Sequence, residues 1–524
     1  SEATLGVANG GTITAYATMA SYSTSGTASA LAHAYGIDQQ AGTIGENVAD
    51  IYNDGTISAA ATADAEGELY STAYAYSTGI DQEGYGASAT LTITNHGDVA
   101  ATATATADPD IRAYAYAVAS GIDQEAFSGG VNTGDIYNDG DVTANATANA
   151  EALGDASASA YANAYATGIE QESGGDSATM TLTNHGDVSA TASANAVAAT
   201  YAYALASATG IYQRADGDNS LADVYNDGSI TALALANATG TTADARAQAT
   251  GVDQYTFGGV AEMTLTNHDE ISALATATAS ASEQRAYGYG LASGTYQKAN
   301  ADIASIDLVN TSTISAKVEV NAYGVTSATA YAYANGMIQI AFSDIADLSI
   351  VNSGEISADA NALASSVDNS AYASARAMGA YQSAGAAIDT ADVYNDGSIA
   401  ATADADAFGE NDASAKAFAT GVHQIATYGD YPGYAVQANG SVTNHGAISA
   451  VADAVATSTS GSAEAGAYAV GLAQFELAIE NSSVVLDNHG DISARAIASA
   501  DGEINDYALA AANGYQAEVN SPYP

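Results

Sequence analysis

The sequence contains no cysteine and no tryptophan, only 4 prolines, and only 9 lysines and arginines among 524 residues. Without cysteine the chain forms no disulfide, performs no thiol catalysis and builds no thiolate metal site. It also lacks any apolar run of 18 residues, so we expect no membrane insertion. The sequence opens Ser1-Glu2-Ala3-Thr4 without a basic or apolar leader, and we expect any export signal to be removed or to lie outside it.

The scarcity of basic residues leaves a strongly acidic chain, with 60 aspartates and glutamates and a formal net charge of −51. Affinity for nucleic acid comes from lysines and arginines that neutralise phosphates, so we expect no nucleic-acid partner. The same charge argues against an anionic membrane surface. It fits a soluble protein in a salty or calcium-containing medium, where self-repulsion is screened, although solubility alone also accounts for it.

What the chain has in abundance is a repeat of about 43.5 residues. One asparagine recurs twelve times, an isoleucine or valine follows it four positions later, and an alanine follows two positions after that. A glutamine, preceded by Gly-Ile-Asp in units such as Gly79–Gln82, recurs in the other half of the unit. Because no linker interrupts this register, we predict a single repeat array over residues 1–524. The asparagines are Asn9, Asn53, Asn95, Asn138, Asn184, Asn226, Asn267, Asn310, Asn352, Asn395, Asn444 and Asn488, and the glutamines are Gln39, Gln82, Gln124, Gln171, Gln213, Gln254, Gln297, Gln339, Gln382, Gln424, Gln474 and Gln516.

The alanine-rich segments favour helix by propensity, but their period is two rather than 3.6. Along Ile57–Ala63 every second residue is isoleucine or alanine, while the residues between them are variable. The segment before the glutamine alternates in the same way, as in Ala113–Ala117, and a shorter run such as Met180–Thr183 leads into the asparagine. We therefore predict about three strands in each unit, and each strand has one buried and one exposed face.

These patterns predict an all-β fold, an elongated parallel β-solenoid of about twelve coils with roughly 43 residues each and no obvious caps. Neighbouring coils stack about 4.8 Å apart, which gives a rod roughly 55–60 Å long. Identical residues then form columns along the rod, and the asparagine and glutamine amides satisfy one another between coils. We predict such columns most clearly for Asn53, Asn95, Asn138, Asn184 and Asn226, and for Gln82, Gln124, Gln171, Gln213 and Gln254.

From Asn53 to Asn267 the residue after the asparagine alternates between aspartate and histidine in successive units. Units that read Tyr-Asn-Asp-Gly alternate with units that read Thr-Asn-His-Gly. Stacking would place each histidine next to a carboxylate about 4.8 Å away, and a carboxylate–imidazole column is one interpretation. Simple solvated turn residues are the other. The positions are Asp54, His96, Asp139, His185, Asp227 and His268.

Acidic residues before the glutamine would stack as like charges, and calcium between coils would relieve their repulsion. Ordinary counterions are the alternative, and the calcium-binding nonapeptide Gly-Gly-x-Gly-x-Asp is absent. We therefore expect no cofactor, with calcium as the one ion these positions could hold. The calcium candidates are Asp38, Asp81, Asp123, Glu170 and Asp253.

We predict no enzymatic activity. Parallel β-helices that cleave polysaccharides need a unique cluster of acids or bases in a groove, whereas every acidic residue here sits in a repeated context. The 34 tyrosines include pairs that alternate with inward alanines and so face outward. Such aromatic stripes indicate a contact surface, through lateral bundling or adhesion, although strand propensity also accounts for them. The pairs are Tyr74 and Tyr76, Tyr114 and Tyr116, Tyr161 and Tyr165, and Tyr201 and Tyr203.

The segment Asn226–Ala232, an Asn-x-Gly-x-Ile-x-Ala pattern, resembles β-solenoid repeats of bacterial surface proteins. Autotransporter passengers and filamentous-haemagglutinin-like adhesins carry similar repeats, which implies an extracellular or cell-surface bacterial protein. No atypical capping repeat precedes Asn9 or follows Gln516, which suits head-to-tail stacking, or a piece of a longer solenoid. We therefore predict an extracellular filament subunit that polymerises with itself in a fibre or biofilm matrix. A monomeric adhesin stalk or passenger is the second hypothesis, and a polysaccharide-acting enzyme is the third.

Overall fold

Each repeat unit forms an asparagine strand, an alanine strand and a glutamine strand, because its small residues alternate with polar ones at the period of a pleated strand. In the second unit these are β4 (Glu46–Asn53), β5 (Thr56–Gly67) and β6 (Tyr70–Gly86). The computed structural model describes residues 3–154, 157–426 and 435–520, and these contain 31 strands and no helix. The prediction of an all-β parallel solenoid with repeating coils is confirmed.

The alanine strands form one parallel sheet of twelve strands in sequence order. Each strand pairs in register with the equivalent strand of the next unit, so that Ile57 lies opposite Val99 and Val99 opposite Val142. The strands are β2 (Thr12–Ser23), β5, β8 (Val99–Pro109), β11 (Val142–Ala152), β13 (Val188–Ala198), β15 (Ile230–Gly240), β17 (Ile271–Ala281), β19 (Thr313–Gly324), β22 (Glu355–Ser366), β25 (Ser398–Gly409), β28 (Ala447–Ser458) and β30 (Asp491–Asp501).

The asparagine and glutamine strands together form the second parallel sheet, of 19 strands. Five of these strands run without a break from a glutamine segment into the next asparagine segment: β12 (Ser159–Asn184), β14 (Tyr201–Asn226), β16 (Thr242–Asn267), β18 (Arg285–Asn310) and β29 (Ser462–Asn488). The separate strands are β1 (Ala3–Asn9), β3 (Thr27–Gly42), β4, β6, β7 (Ser88–Asn95), β9 (Arg112–Ser128), β10 (Val131–Asn138), β20 (Ser327–Phe342), β21 (Ile345–Asn352), β23 (Ser370–Gly385), β24 (Ile388–Asn395), β26 (Asp412–Ala426), β27 (Ala435–Asn444) and β31 (Asp506–Asn520).

The interior consists of three apolar strips that run along the rod. Alanines of the alanine strands pack against alanines of the glutamine strands in the widest strip. A second strip of isoleucine, valine and leucine fills the space near the asparagine turns. A third strip, rich in alanine, lies where each glutamine strand leads into the following asparagine strand. Since no single coil can bury these strips alone, stacking supplies the core.

A glycine in every glutamine strand allows the chain to pass close over the isoleucine strip. A Cβ added to Gly79 would lie 2.5 Å from the carbonyl oxygen of Gly121 and 2.5 Å from Cγ1 of Val99. Neither distance is compatible with a real side chain, so this position admits only glycine. The close approach holds the glutamine strand, and thus Gln82 three residues later, against the turn that carries the asparagine.

Candidate functional site

The asparagines that recur in every repeat unit form one buried column of hydrogen bonds through the rod. Each Nδ2 donates to Oδ1 of the asparagine in the following unit, over 2.6–2.9 Å, in an unbroken series from Asn9 to Asn488. Nδ2 of Asn138 also donates to the carbonyl oxygen of Gly140 at 2.8 Å, which ties the column to the turn. The amide group of Asn138 therefore closes its own turn and joins two coils.

The glutamines form a second buried column with the opposite polarity. Each Nε2 donates to Oε1 of the glutamine in the preceding unit, over 2.8–3.1 Å, from Gln474 back to Gln39. Nε2 of Gln82 also donates to the carbonyl oxygen of Ala49 at 2.9 Å, in an asparagine strand. Because the two columns donate in opposite directions, their side-chain dipoles oppose each other along the rod.

The last unit departs from the predicted register. Gln516 lies opposite Ala473, whereas Ala517 lies opposite Gln474. The expectation that Gln516 continues the glutamine column is therefore wrong by one position, because the final Gly-Tyr-Gln sequence is one residue shorter than Gly-Ile-Asp-Gln. The hydroxyl of Tyr515 instead donates to Oε1 of Gln474 at 3.1 Å and occupies the last acceptor of the column.

The histidines of the turns form separate pairs with aspartates of neighbouring coils. Nδ1 of His96 lies 3.4 Å from Asp139, and Nδ1 of His185 lies 3.5 Å from Asp227. Nδ1 of His268 contacts the Thr311 hydroxyl at 2.7 Å instead of a carboxylate. Asp54 follows Asn53 in the same kind of turn, and among the described residues no ion pair of Asp54 is found. These contacts are half-exposed, where an ion pair contributes about 0–1 kcal/mol.

The same histidines also belong to an aromatic column that the sequence alternation encodes. The tyrosine before the asparagine in one unit packs edge-on against the histidine after the asparagine in the next, with ring centroids 5.4–5.8 Å apart. This packing requires that units reading Tyr-Asn-Asp alternate with units reading Thr-Asn-His. It therefore explains the alternation of the two kinds of unit better than ion pairing alone. The members are Tyr52, His96, Tyr137, His185, Tyr225 and His268.

Replacing Tyr137 by alanine is expected to destabilise the fold more than replacing Asp139 by alanine. Tyr137 contacts both His96 and His185, and an aromatic pair contributes about 0.5–1.5 kcal/mol beyond burial. Asp139 supplies one half-exposed ion pair. Urea unfolding of both variants at pH 7.5 measures the difference. A larger loss for Asp139→Ala would show that the ion pairs dominate the turns.

The calcium candidates lie in one column on the outer face of the glutamine strands. Asp38 lies opposite Asp81, Asp81 opposite Asp123, and Asp123 opposite Glu170. Tyr212 then interrupts the column and separates Glu170 from Asp253. A second acidic column two residues along the strands contains Glu83, Glu125 and Glu172. We name the two columns together, Asp38 to Glu170 and Glu83 to Glu172, the acidic face.

The acidic face holds protons more tightly than ordinary carboxylates. Burial, reinforced by the charges of Glu83, Asp38 and Glu125, raises the pKa of Asp81 to about 7. Burial and the charges of Glu172 and Glu125 raise the pKa of Glu170 to about 7. The pKa of Asp123 is raised well above its usual value by burial first and by Glu170 next. These carboxylates sit side by side on strands about 4.8 Å apart, so protons or cations must offset their repulsion.

The acidic face is a row of like charges rather than a ligand cage. In residues 3–154, 157–426 and 435–520, no group of three or more histidine, aspartate or glutamate side chains is arranged to hold a metal ion. Burial also raises the pKa of the isolated Asp253 to about 7, against a hydrogen bond from Tyr255 that lowers it. Calcium at these five candidate positions stays a prediction.

The tyrosine pairs lie on the outer face of the same sheet, amino-terminal to the acidic face along each strand. Their rings contact rings of neighbouring coils, as in Tyr74 with Tyr114 at 5.7 Å and Tyr161 with Tyr201 at 5.7 Å. Arg246 adds a cation over the Tyr203 ring at 5.5 Å. The tyrosines therefore stabilise the stack of coils and at the same time present half-exposed aromatic surface.

No protein-family model matches the chain, and neither a known protein nor a solved structure is found to be similar to it. In the part of the chain that the structure describes, no helix is long and apolar enough to cross a membrane.

Proposed function

We propose that this chain is an extracellular structural filament subunit, similar in role to bacterial surface solenoids, and that it polymerises head-to-tail. The observation that carries the proposal is the match between the alanine strands, and between the asparagine turns, of the two outermost described coils. The first alanine strand, β2, pairs only with β5, and the last, β30, pairs only with β28, so each leaves one strand edge unpaired. Unpaired parallel edges in a common register are templates for the edge of another copy.

The asparagine column supports stacking in one direction. At one end Oδ1 of Asn9 accepts a hydrogen bond only from the backbone N–H of Gly11, at 3.1 Å. At the other end Nδ2 of Asn488 donates only to the carbonyl oxygen of Gly490, at 3.0 Å. A second copy would therefore meet the donor of Asn488 with the acceptor of Asn9, as at every internal step of the column.

The outer faces of the end coils also match. In the repeat register Leu509 falls in the column of Leu31, and both side chains are exposed in the single chain. Arg495 falls in the column of Tyr16, which is 77% exposed, so stacking would place a cation beside an aromatic ring. The high acidity of the chain keeps such filaments apart laterally unless cations or the tyrosine surface bring them together.

Electron microscopy of the purified chain of residues 1–524 tests this proposal. We expect long unbranched fibres, and we expect a folded polar capping segment fused after Pro524 to leave only rods roughly 55–60 Å long. A glycine–serine extension of equal length is the control, because it leaves the strand edges accessible. Rods without fibres in the uncapped chain would favour a monomeric adhesin stalk, and fibres from the capped chain would exclude end-to-end growth.

A further inference from the structure

Two acidic side chains interrupt the third apolar strip of the interior. Asp389 and Glu476 are 0% and 1% exposed, respectively. Asp389 lies between Ala346 and Ala438 in its column, and Glu476 follows Ala426 in its own. Two independent departures from alanine thus occur within three consecutive coils, on strands that face the same strip.

The chain makes room for the Glu476 carboxylate. Gly440 lies between Ala391 and Val484 in its column, and a Cβ on Gly440 would collide with Oε1 of Glu476. The missing side chain therefore leaves the space that the carboxylate fills. Two steps beyond Asp389 in its own column stands Ser482, which brings a hydroxyl to the same strip. We name Asp389, Glu476 and the space at Gly440 the interior acidic corner.

Among the described residues, the oxygens of this corner have no hydrogen-bond donors. Both carboxylate oxygens of Asp389, both of Glu476 and the hydroxyl of Ser482 are buried without a partner. Burial raises the pKa of Glu476 to about 8, and burial together with the charge of Glu476 raises that of Asp389 to about 8. The backbone of Ala386 offsets part of the Asp389 shift, although its N–H does not reach hydrogen-bond geometry with either oxygen.

An unpaired buried charge is too costly to persist, so a proton or a cation must neutralise each carboxylate. Protons alone would leave two carboxyl groups in an alanine-lined space, with few oxygens nearby to accept from their O–H groups. A divalent cation balances both charges at once and uses the oxygens as ligands. Hard cations such as Ca²⁺ prefer carboxylate, hydroxyl and amide oxygens, and Oε1 of Gln424 also lies near the space at Gly440.

We propose that the interior acidic corner is a binding site for a single hard divalent cation, Ca²⁺, held between Asp389 and Glu476. The corner contains only two carboxylates, so amide oxygens and water complete the coordination. Because both carboxylates are buried, stacking of the coils encloses the ion. Calcium binding is therefore linked to folding of these coils, and it raises the melting temperature with calcium concentration. The proposal does not depend on filament formation.

The test compares the full chain with two variants that keep side-chain shape, Glu476→Gln and Asp389→Asn. Each protein is freed of metal with a chelator at pH 8 and then titrated with CaCl₂, with MgCl₂ and NaCl as separate arms. Melting temperature and the calcium content after gel filtration are measured. We expect one retained Ca²⁺ per chain and a calcium-dependent rise in melting temperature, both lost or weakened at least tenfold in either variant.

A surface variant separates this site from the acidic face. Glu170→Gln removes a half-buried carboxylate far from the corner, and it is expected to retain the tightly held ion. The proposal is overturned if the unmodified chain shows no calcium-dependent melting, or if both interior variants keep the ion. It is also overturned if the variants are simply more stable at every calcium concentration, because the carboxyls are then neutralised by protons.

Discussion

Replacing Asn226 by leucine is expected to lower the free energy of unfolding by about 2–6 kcal/mol. Asn226 is fully buried, accepts from Nδ2 of Asn184 at 2.8 Å and donates to Oδ1 of Asn267 at 2.8 Å. Leucine has no polar atom, so one donor and one acceptor lose partners in the interior, where each unsatisfied group costs about 1–3 kcal/mol. Gln254→Leu is expected to act in the same way on Gln213 and Gln297.

Asn237→Leu is the matched control, because Asn237 lies on the exposed face of β15 in the same unit. Urea unfolding of the three variants beside the parent chain gives the differences in stability. We expect a change of no more than about 0.5 kcal/mol for the control. Midpoints for Asn226→Leu and Gln254→Leu that coincide with the control would mean that the columns do not hold the coils together.

The fold was predictable because the stacking repeats one set of physical requirements in every unit. The period of two along Ile57–Ala63 identifies the strand faces, and a buried amide that must meet its own copy explains why asparagine and glutamine never vary. The opposite polarity of the two columns was not predictable, since each amide side chain can donate in either direction. Only the backbone carbonyls nearby, such as that of Gly140 beside Asn138, favour one orientation.

Other parts of the site depend on differences between units rather than on the repeat itself. The tyrosine–histidine packing was present in the sequence as an alternation. The predicted pairing of Asp139 with His96 did not include Tyr137, which touches the histidine ring. Asp389 and Glu476 look ordinary in so acidic a sequence. The period of two from Asn395 and Gln474 places both side chains inward, and the strand register shows that the neighbouring coils carry alanine there.

Lowering the pH from 8 to 5 is expected to stabilise the fold through the acidic face. Asp81 and Glu170 have folded-state pKa values of about 7, raised mainly by burial, whereas unfolded carboxyls titrate near 4. Between these values the folded state binds more protons than the unfolded state, so stability rises as the pH falls. The gain is complete below the unfolded pKa and is lost as the pH rises through about 7.

The acidic face is expected to contribute a loss of roughly 2–4 kcal/mol between pH 5 and pH 8, which is less than the shifts alone suggest because these side chains remain partly exposed. Asp389 and Glu476, with pKa values of about 8, add to the loss and are the same in the surface variants. Melting curves in a chelating buffer at several pH values measure it. Glu170→Gln removes one of the coupled carboxylates, so it should raise the stability at pH 8, leave it unchanged near pH 4, and flatten the pH dependence. Glu151→Gln removes an exposed carboxylate from β11 on the other sheet and controls for net charge. If both variants shift the curve equally, general self-repulsion of the acidic chain causes the effect, and the acidic face makes no contribution of its own.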